Sequence, residues 1–248
     1  MRILIVGNGA REEALRRIAL SAGHTLPDHG PWDQVVLSLP RSEMSEEAAD
    51  QLPKEQHIIC GMTDEAFDHL AKKRGWRIHR VLEDETYTLE NALLTAEGAI
   101  HAAIGYSKKA LSDSLCMVIG YGRIGQALTR LLRGLHIATI VIARRKESRE
   151  EAGKNSVSME ELPAVLPEMD VIFNTVPAMI LDGEKLALVK KDAILLELAS
   201  KPYGIDLKAA EEMGLAVHVE GGLPGRYCPE LAAKAVLNYM EREAEKNE

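Results

Sequence analysis

Aromatic residues, cysteines and long hydrophobic runs are all scarce in this sequence. Aromatic side chains make up 4% of the 248 residues, so the core has to be built from aliphatic side chains and methionine. Cys60, Cys116 and Cys228 are too widely spaced for a disulfide framework or a metal site, which is typical of a reducing compartment. No apolar run approaches the ~20 residues of a membrane-spanning helix, and the first residues lack a signal-peptide pattern. We therefore expect a cytoplasmic protein without a membrane segment.

Positive charge is also in deficit. The chain has 30 Lys and Arg against 38 Asp and Glu, a net charge of -8. This argues against a general nucleic-acid binder, because binding to phosphates needs surplus cations. A local basic pocket remains compatible with the composition. The hydrophobic fraction of 46% is ordinary for a globular protein, and the length suits one large or two small domains.

Short apolar runs alternate with helical patterns, which predicts parallel sheets flanked by helices. Strands are predicted at residues 2–6, 35–39, 57–60, 77–82, 115–119, 137–142, 171–173, 194–198 and 216–219. Helices are predicted at residues 12–22, 45–51, 63–73, 89–106, 123–133, 159–166, 185–189, 207–213 and 229–245. The predicted fold class is α/β, with two Rossmann-like parallel-sheet domains joined by linking helices and a cleft between them.

The polar stretch 83–87 predicts a domain boundary. Residues 1–88 are predicted to form an amino-terminal α/β domain on the substrate side, on which the carboxyl-terminal helix 229–245 packs back. Residues 89–228 are predicted to form the nucleotide-binding domain, beginning with the linking helix 89–106.

The strongest single motif is G-Y-G-R-I-G at residues 120–125. It follows an apolar strand and opens an amphipathic helix, which is the context that a dinucleotide-binding motif requires. The first glycine allows a tight turn, the second allows close approach of a pyrophosphate, and the third allows the helix to pack on the strand. We assign Gly120, Gly122, Arg123, Ile124 and Gly125 to this site. The alternative is a glycine-rich turn that binds nothing.

The end of the next strand bears on the choice of cofactor. NAD-binding domains commonly carry an acid there, for the ribose 2′-hydroxyl. Here the strand is followed by Arg144, Arg145 and Lys146, and an arginine fork suits a 2′-phosphate. The sequence thus favours NADP over NAD, with Arg144 and Arg145 on the phosphate. A solvated basic turn is the alternative.

Two later loops follow strands and fall on the same sheet edge, where ligands of such folds bind. The first is expected along the ribose and diphosphate, the second near the nicotinamide. The cofactor-lining residues predicted there are Asn174, Thr175, Val176, Pro177, Ala199 and Ser200.

Several linked motifs give the chain a family resemblance. They are T-A-E-G-A-I at 95–100, N-T-V-P-A at 174–178, L-A-S-K-P-Y-G at 198–204 and G-L-P-G-R at 222–226. In order and spacing, from about residue 83 onward, they resemble the A subunits of dipicolinate synthases. The opening G-N-G-A-R at 7–11 resembles that family's glycine-rich start, and also the start of phosphoribosylamine–glycine ligase. The first domain is shorter than in typical members, and Tyr203 and Cys228 replace smaller residues.

The resemblance implies an activity. It implies an NADP-dependent oxidation of dihydrodipicolinate, or of its hydroxy-tetrahydro precursor, to dipicolinic acid, the calcium-chelating pyridine dicarboxylate of bacterial endospores. It also implies a flavoprotein-like partner, the B subunit of the synthase, and the mother cell of a sporulating bacterium as the location. Self-association is left open.

A dianionic substrate calls for cations and N–H donors. Arg11, Lys201 and Arg226 are the candidates, although each also suits an exposed surface. Thr95 is a candidate substrate contact or a turn cap. Aromatisation also needs a proton acceptor, for which Glu97 or an uncharged Lys201 is available, while Glu97 equally suits helix packing. The eight histidines show no metal-binding spacing.

Two other functions remain compatible with the sequence. A D-2-hydroxyacid dehydrogenase shares the layout, but it needs an arginine, an acid and a histidine in set loops. Here the comparable strand end offers Ser200 and Lys201, and no histidine follows the last strand. A nucleotide-sensing module without catalysis is the other interpretation, and the polar loops at Lys201 and Arg226 argue mildly against it.

Overall fold

The computed structural model describes residues 1–40, 42 and 44–246. The chain divides into two compact units, the first comprising residues 1–91 together with the chain from Pro224 onward, and the second comprising Ala92–Leu223. The strands are β1 Ile3–Ile5, β2 Gln34–Val36, β3 His57–Cys60, β4 Arg77–Arg80, β5 Leu115–Ile119, β6 Ala138–Ile142, β7 Ser156–Val157, β8 Val171–Asn174, β9 Ile194–Glu197 and β10 Ala216–Val219. The helices are α1 Ala10–Ser21, α2 Glu46–Asp50, α3 Glu65–Arg74, α4 Glu85–Tyr106, α5 Arg123–Gly134, α6 Lys146–Ala152, α7 Leu162–Val165, α8 Gly183–Leu186, α9 Leu207–Glu212, α10 Leu223–Tyr227 and α11 Pro229–Glu245.

The first unit is built on a four-stranded sheet in the order β1-β2-β3-β4, with every neighbouring pair parallel. Helix α11 packs against α1 and contributes Val236 and Met240, both fully buried, to the core that contains Ile3 and Leu15. The side chain of Gln34 on β2 donates to the carbonyl of Met240 at 3.0 Å. The last helix of the chain therefore completes the core of the first unit.

The second unit is built on a six-stranded parallel sheet in the order β10-β9-β8-β5-β6-β7. Strand β5 lies in the middle, because the chain runs first to β6 on one side and later to β8 on the other. The core is aliphatic, with fully buried Met117, Ile119, Ile172 and Leu195. The reversal of direction at β5 is the position at which such sheets bind ligands, outside the carboxyl ends of the strands. The predicted fold class of two parallel-sheet α/β domains is confirmed.

Helix boundaries differ from the prediction where capping or proline decides them. Helix α4 begins at Glu85 instead of residue 89, because the Asp84 carboxylate accepts from the Tyr87 N–H at 2.7 Å and caps the first turn. The helix predicted at 159–166 is replaced by the shorter α7 and a 3₁₀ turn at Leu166–Glu168. Pro163 and Pro167 each stand at the start of one of these segments, because a proline has no N–H to donate within a continuous helix. Helices α6 and α10 and strand β7 are additional to the prediction.

No helix in the part of the chain that the structure describes is both long and apolar enough to cross a membrane. Within the same residues, His, Cys, Asp and Glu side chains form no group of three or more that suits a metal ion.

Candidate functional site

The turn after β5 depends on glycine at its first position. Gly120 is buried with a φ of 97°, a conformation that L side chains rarely adopt. A Cβ atom on it would lie 2.7 Å from the Val176 Cγ2 atom. Thr175 holds that neighbouring loop in place, since its N–H and its Oγ1 both donate to the Ile119 carbonyl, at 2.9 and 2.8 Å. The turn and the loop after β8 are therefore closely packed.

The other two glycines of the motif have different surroundings. A Cβ atom on Gly125 would lie 2.9 Å from the carbonyl carbon of Gly120, so the start of α5 packs directly on the turn. Gly122, by contrast, is exposed and nothing lies within 4 Å of its Cβ position. It is the N-cap of α5, no side chain caps the helix there, and the first turn contains no acid. An open space in front of an uncapped helix start suits a diphosphate.

The basic residues after β6 lie at the same sheet edge. Ala143 is buried, whereas Arg144 and Arg145 are exposed. Arg149 Nη1 donates to the carbonyls of Ala143 and Arg144, at 2.9 and 2.7 Å, and so fixes the backbone that presents the two side chains. Lys146 pairs with Glu150 at 3.6 Å. Arg144 and Arg145 form no such pair among the residues that the structure describes, which leaves both guanidinium groups available to an anion.

Asn174 and Glu197 are register partners at the carboxyl ends of β8 and β9, and both are fully buried. Asn174 Nδ2 donates to Glu197 Oε1 at 2.7 Å and to the Val176 carbonyl at 3.0 Å. Its Oδ1 atom accepts from the Val176 N–H at 3.2 Å. The Asn174 side chain thus orders its own loop and connects it to the next strand.

Glu197 accepts three further hydrogen bonds, all from backbone N–H groups. Ala199 donates to Oε1 at 3.0 Å, while Gly204 and Ile205 donate to Oε2 at 2.9 and 3.0 Å. Burial raises the pKa of Glu197, although its hydrogen bonds oppose that rise. Glu197 is absent from the residues that the sequence predicted. The only signal for it in the sequence is an acid at the end of an otherwise apolar strand.

The remaining candidates of the second unit lie on α4 and in the loop after β9. Thr95 is buried in α4, and Glu97 is exposed on the same helix. Ser200 and Lys201 are both exposed, and Lys201 Nζ lies 5.9 Å from the centre of the Tyr203 ring. Their catalytic and binding roles stay predictions.

In the first unit, Arg11 has an unusual environment. It is the second residue of α1 and only 5% exposed, and its Nε atom has no hydrogen-bond partner among the described residues. A Cβ atom on Gly225 would lie 2.8 Å from Arg11 Nη2, so the backbone before Arg226 passes close to the guanidinium. Burial raises the pKa of Tyr87, on which the charges of Arg11 and Glu12 act in opposite directions. Arg226 is exposed, with its guanidinium carbon 5.2 Å from the Tyr227 ring centre.

The nucleotide-binding motif lies in a segment that matches a known domain family. Residues 85–201 match the D-isomer-specific 2-hydroxyacid dehydrogenase, NAD-binding domain. Glyoxylate reductase of Thermococcus kodakarensis is 35% identical over 99 residues, 37% of this chain and 28% of that protein. The second unit therefore carries an NAD(P)-binding domain of the dehydrogenase type.

A longer match includes most of the chain. The A subunit of dipicolinate synthase from Bacillus subtilis is 26% identical over 203 residues, which are 80% of this chain and 68% of that protein. The predicted resemblance to the dipicolinate synthase A subunits is confirmed. Solved structures of these proteins share the fold: the one from Bacillus halodurans gives a TM-score of 0.85 over 96% of both chains, and the one from Bacillus subtilis gives 0.86 over 99% of this chain and 96% of that chain, each at 22% identity.

Proposed function

We propose that this chain is the A subunit of a dipicolinate synthase, an NADP-dependent oxidoreductase that converts dihydrodipicolinate, or its hydroxy-tetrahydro precursor, to dipicolinic acid. A flavoprotein-like B subunit would be its partner, in the cytoplasm of the mother cell of a sporulating bacterium. The observation that carries the proposal is the match to the A subunit of the Bacillus subtilis synthase over 80% of the chain. The proposal is supported by the glycine turn 120–122 and the start of α5, which together we call the dinucleotide cradle.

The residues present fit a bound dinucleotide. Gly120 and Gly125 keep the turn compact, and nothing lies within 4 Å of the Gly122 Cβ position at the start of α5, where a diphosphate would bind. The loop residues 174–177 and 199–200 would lie along the rest of the molecule. When bound, the nicotinamide supplies the acceptor for the hydride that leaves the substrate.

Arg144 and Arg145 support NADP as the cofactor. Both are exposed and free of carboxylate partners in the described part of the chain, on a backbone that Arg149 holds. A 2′-phosphate carries the charge and oxygens that a guanidinium binds well, whereas a ribose 2′-hydroxyl calls for an acceptor such as a carboxylate.

Arg11 supports an anionic substrate. A buried guanidinium with an unpartnered Nε is costly, unless a ligand completes its hydrogen bonds. It is the second residue of α1, whose first turn also contains the acids Glu12 and Glu13, so the guanidinium itself, and not the helix start, is the feature that favours an anion. Thr95 and the exposed Arg226 are proposed as further substrate contacts.

A residue of this chain would then accept the proton that the oxidation releases. Oxidation of dihydrodipicolinate to the aromatic pyridine removes a hydride and a proton. The Glu97 carboxylate, or the Lys201 amine in its uncharged form, is proposed to accept that proton, and both side chains are exposed within the second unit. Within the first unit, the positive charges of Arg11 and Arg226 are proposed to bind carboxylates.

The decisive experiment titrates NADP and NAD separately into the purified chain, and then adds dihydrodipicolinate with the B-type partner. We expect tighter binding of NADP, and formation of NADPH and dipicolinate in equal amounts. Arg144→Asp should reverse the preference between the cofactors by about tenfold or more, because it replaces a phosphate-binding cation with an acid.

Arg130→Asp is the matched control for Arg144→Asp. Arg130 is exposed on α5, one residue past the buried Thr129, and the substitution makes the same change in net charge. We expect it to leave the cofactor preference within about twofold, since an exposed charge away from the ligand is screened. Unchanged NADP preference in Arg144→Asp would refute the assignment of the phosphate site.

A second function is supported by the domain match itself. Residues 85–201 match the D-isomer-specific 2-hydroxyacid dehydrogenase domain, and glyoxylate reductases are among the relatives. The counterargument is that the strand end carries Ser200 and Lys201, without a histidine after β10. Reduction of glyoxylate with NADPH, without oxidation of dihydrodipicolinate in the presence of the partner, would favour this alternative. Binding of NADP without either reaction would favour a nucleotide-sensing module.

A further inference from the structure

Glu197 is a buried acid whose hydrogen bonds all come from neutral groups. It is 0% exposed at the end of β9, and its two oxygens accept four N–H groups at 2.7 to 3.0 Å. No cation pairs with it within the part of the chain that the structure describes. Buried acids are usually paired with a cation, because an isolated charge is costly in a low dielectric. Four charge-assisted hydrogen bonds from these neutral N–H donors offset part of that cost.

The four donors come from two separate loops. Asn174 belongs to the loop after β8, and the other three, Ala199, Gly204 and Ile205, bracket the loop after β9. Gly204 has no room for a side chain, since a Cβ atom would lie 2.5 Å from the Val176 carbonyl oxygen and would also meet Asn174 Nδ2. Glu197 thus joins the two loops at the carboxyl edge of the sheet.

Between its anchored ends, the second loop presents its side chains to solvent. Ala199 and Gly204 are tied to the carboxylate, and the residues between them include Ser200, Lys201 and Pro202, all exposed. The apolar core contacts of β9 are formed by other residues of the strand, such as fully buried Leu195 and Leu196. The hydrogen bonds of Glu197 therefore act on the conformation of the loop, while the packing of β9 depends on its apolar neighbours.

We infer that Glu197 is a positioning residue, which holds loops 174–178 and 198–204 in the arrangement that receives the nicotinamide half of the dinucleotide. The inference rests on the proposed function. A carboxylate is an acceptor at both oxygens and matches four N–H donors, whereas an amide would turn its own NH₂ group towards two of them. Replacing the acid with its amide therefore removes the hydrogen bonds at one end of the loop, while the volume of the side chain stays nearly the same.

The test compares Glu197→Gln with wild type, using two probes. One probe is NADP, and the other is adenosine 2′,5′-bisphosphate, which has the adenosine end and no nicotinamide. We expect Glu197→Gln to weaken NADP binding by about tenfold, the equivalent of one hydrogen bond to a charged group. Binding of the bisphosphate should stay within about twofold. Glu197→Asp keeps a carboxylate at this position and should recover part of the lost NADP affinity. If Glu197→Gln does not fold, the affinities of Glu197→Asp for the two probes are compared instead.

A control variant separates loop positioning from general loss of stability. Asp182 caps α8 in the same unit by accepting from the Lys185 N–H at 3.1 Å. Asp182→Ala should lower the midpoint of thermal unfolding and leave the ratio of the two affinities unchanged, because this cap lies outside the two cofactor loops. Equal weakening of both probes by Glu197→Gln, or no weakening of either, would overturn the inference. If wild type binds neither probe, the proposed function fails instead.

Discussion

Arg11 is the residue whose surroundings most clearly suggest a ligand. A folded protein seldom buries a guanidinium atom without a partner, because an unmade hydrogen bond costs roughly 1–3 kcal/mol. Arg16, five residues further along α1, shows the usual arrangement: its Nη2 atom donates to the Ile5 and Gly7 carbonyls at 2.7 and 2.6 Å. Arg16 is therefore a structural side chain, whereas Arg11 is a candidate binding side chain.

Arg11→Met should weaken binding of a dicarboxylate without lowering the stability of the protein. Methionine keeps the unbranched shape, so the free energy of unfolding of the unliganded protein should stay constant or rise by about 1 kcal/mol. Affinity for pyridine-2,6-dicarboxylate should fall about tenfold or more, as measured by calorimetry in the presence of NADP.

The control for that substitution is Arg17→Met on the same helix. Arg17 is exposed and pairs with the exposed Glu230, and such pairs contribute less than about 1 kcal/mol. It should leave dicarboxylate affinity unchanged. If Arg11→Met loses stability while dicarboxylate affinity stays the same, Arg11 is a structural residue and the proposed carboxylate site is wrong.

At the scale of single elements, the contact between α5 and the turn before it is the feature that the dinucleotide cradle needs. Gly125→Ala adds a methyl group 2.9 Å from the Gly120 carbonyl carbon, on backbone that cannot move aside easily. We expect α5 to be displaced, a loss of roughly 1–3 kcal/mol in the free energy of unfolding, and loss of NADP binding in a fluorescence titration.

Gly134→Ala is the control within the same helix. Gly134 is the last residue of α5, and nothing lies within 4 Å of its Cβ position. Alanine there should leave NADP binding unchanged and the stability equal or slightly higher. Retention of tight NADP binding by Gly125→Ala would contradict the close packing on which the cradle depends.

Elements could be predicted from the sequence where one residue type has a strong local effect. The glycine turn at Gly120, predicted from the motif at residues 120–125, is an example. Helix α6 could not be predicted, because its seven residues are mostly charged and give little apolar periodicity. Glu197 was missed because strand periodicity does not show which loops will surround the last side chain of a strand.

At the scale of the whole molecule, alternating patterns predicted two parallel α/β units but not their strand order. The order β10-β9-β8-β5-β6-β7 depends on which neighbour each crossover selects, and a local pattern does not specify that choice. The return of α11 to the core of the first unit is also a long-range contact, since Gln34 and Met240 lie 206 positions apart in the chain, but the packing of helix 229–245 on the first domain was among the predictions. The cleft between the units stays a prediction.

Each core cluster described above lies within one unit, and this has a consequence for unfolding. Met240 and Leu195 are fully buried, the first on α11 in the core of the first unit and the second on β9 in the core of the second unit. Replacing either with alanine should cost roughly 2–5 kcal/mol. NADP, which we propose binds the second unit, should stabilise only that unit, by an amount that grows with ligand concentration.

Scanning calorimetry of the full chain checks this. We expect two transitions, of which Met240→Ala lowers one and Leu195→Ala lowers the other. Added NADP should raise the midpoint of the transition that Leu195→Ala lowers, and leave the other in place. A single transition that both variants lower equally would mean that the chain unfolds as one cooperative body. A shift by NADP of the transition that Met240→Ala lowers would mean that the dinucleotide draws its binding energy from the first unit, and the assignment of the cradle at α5 would then fail.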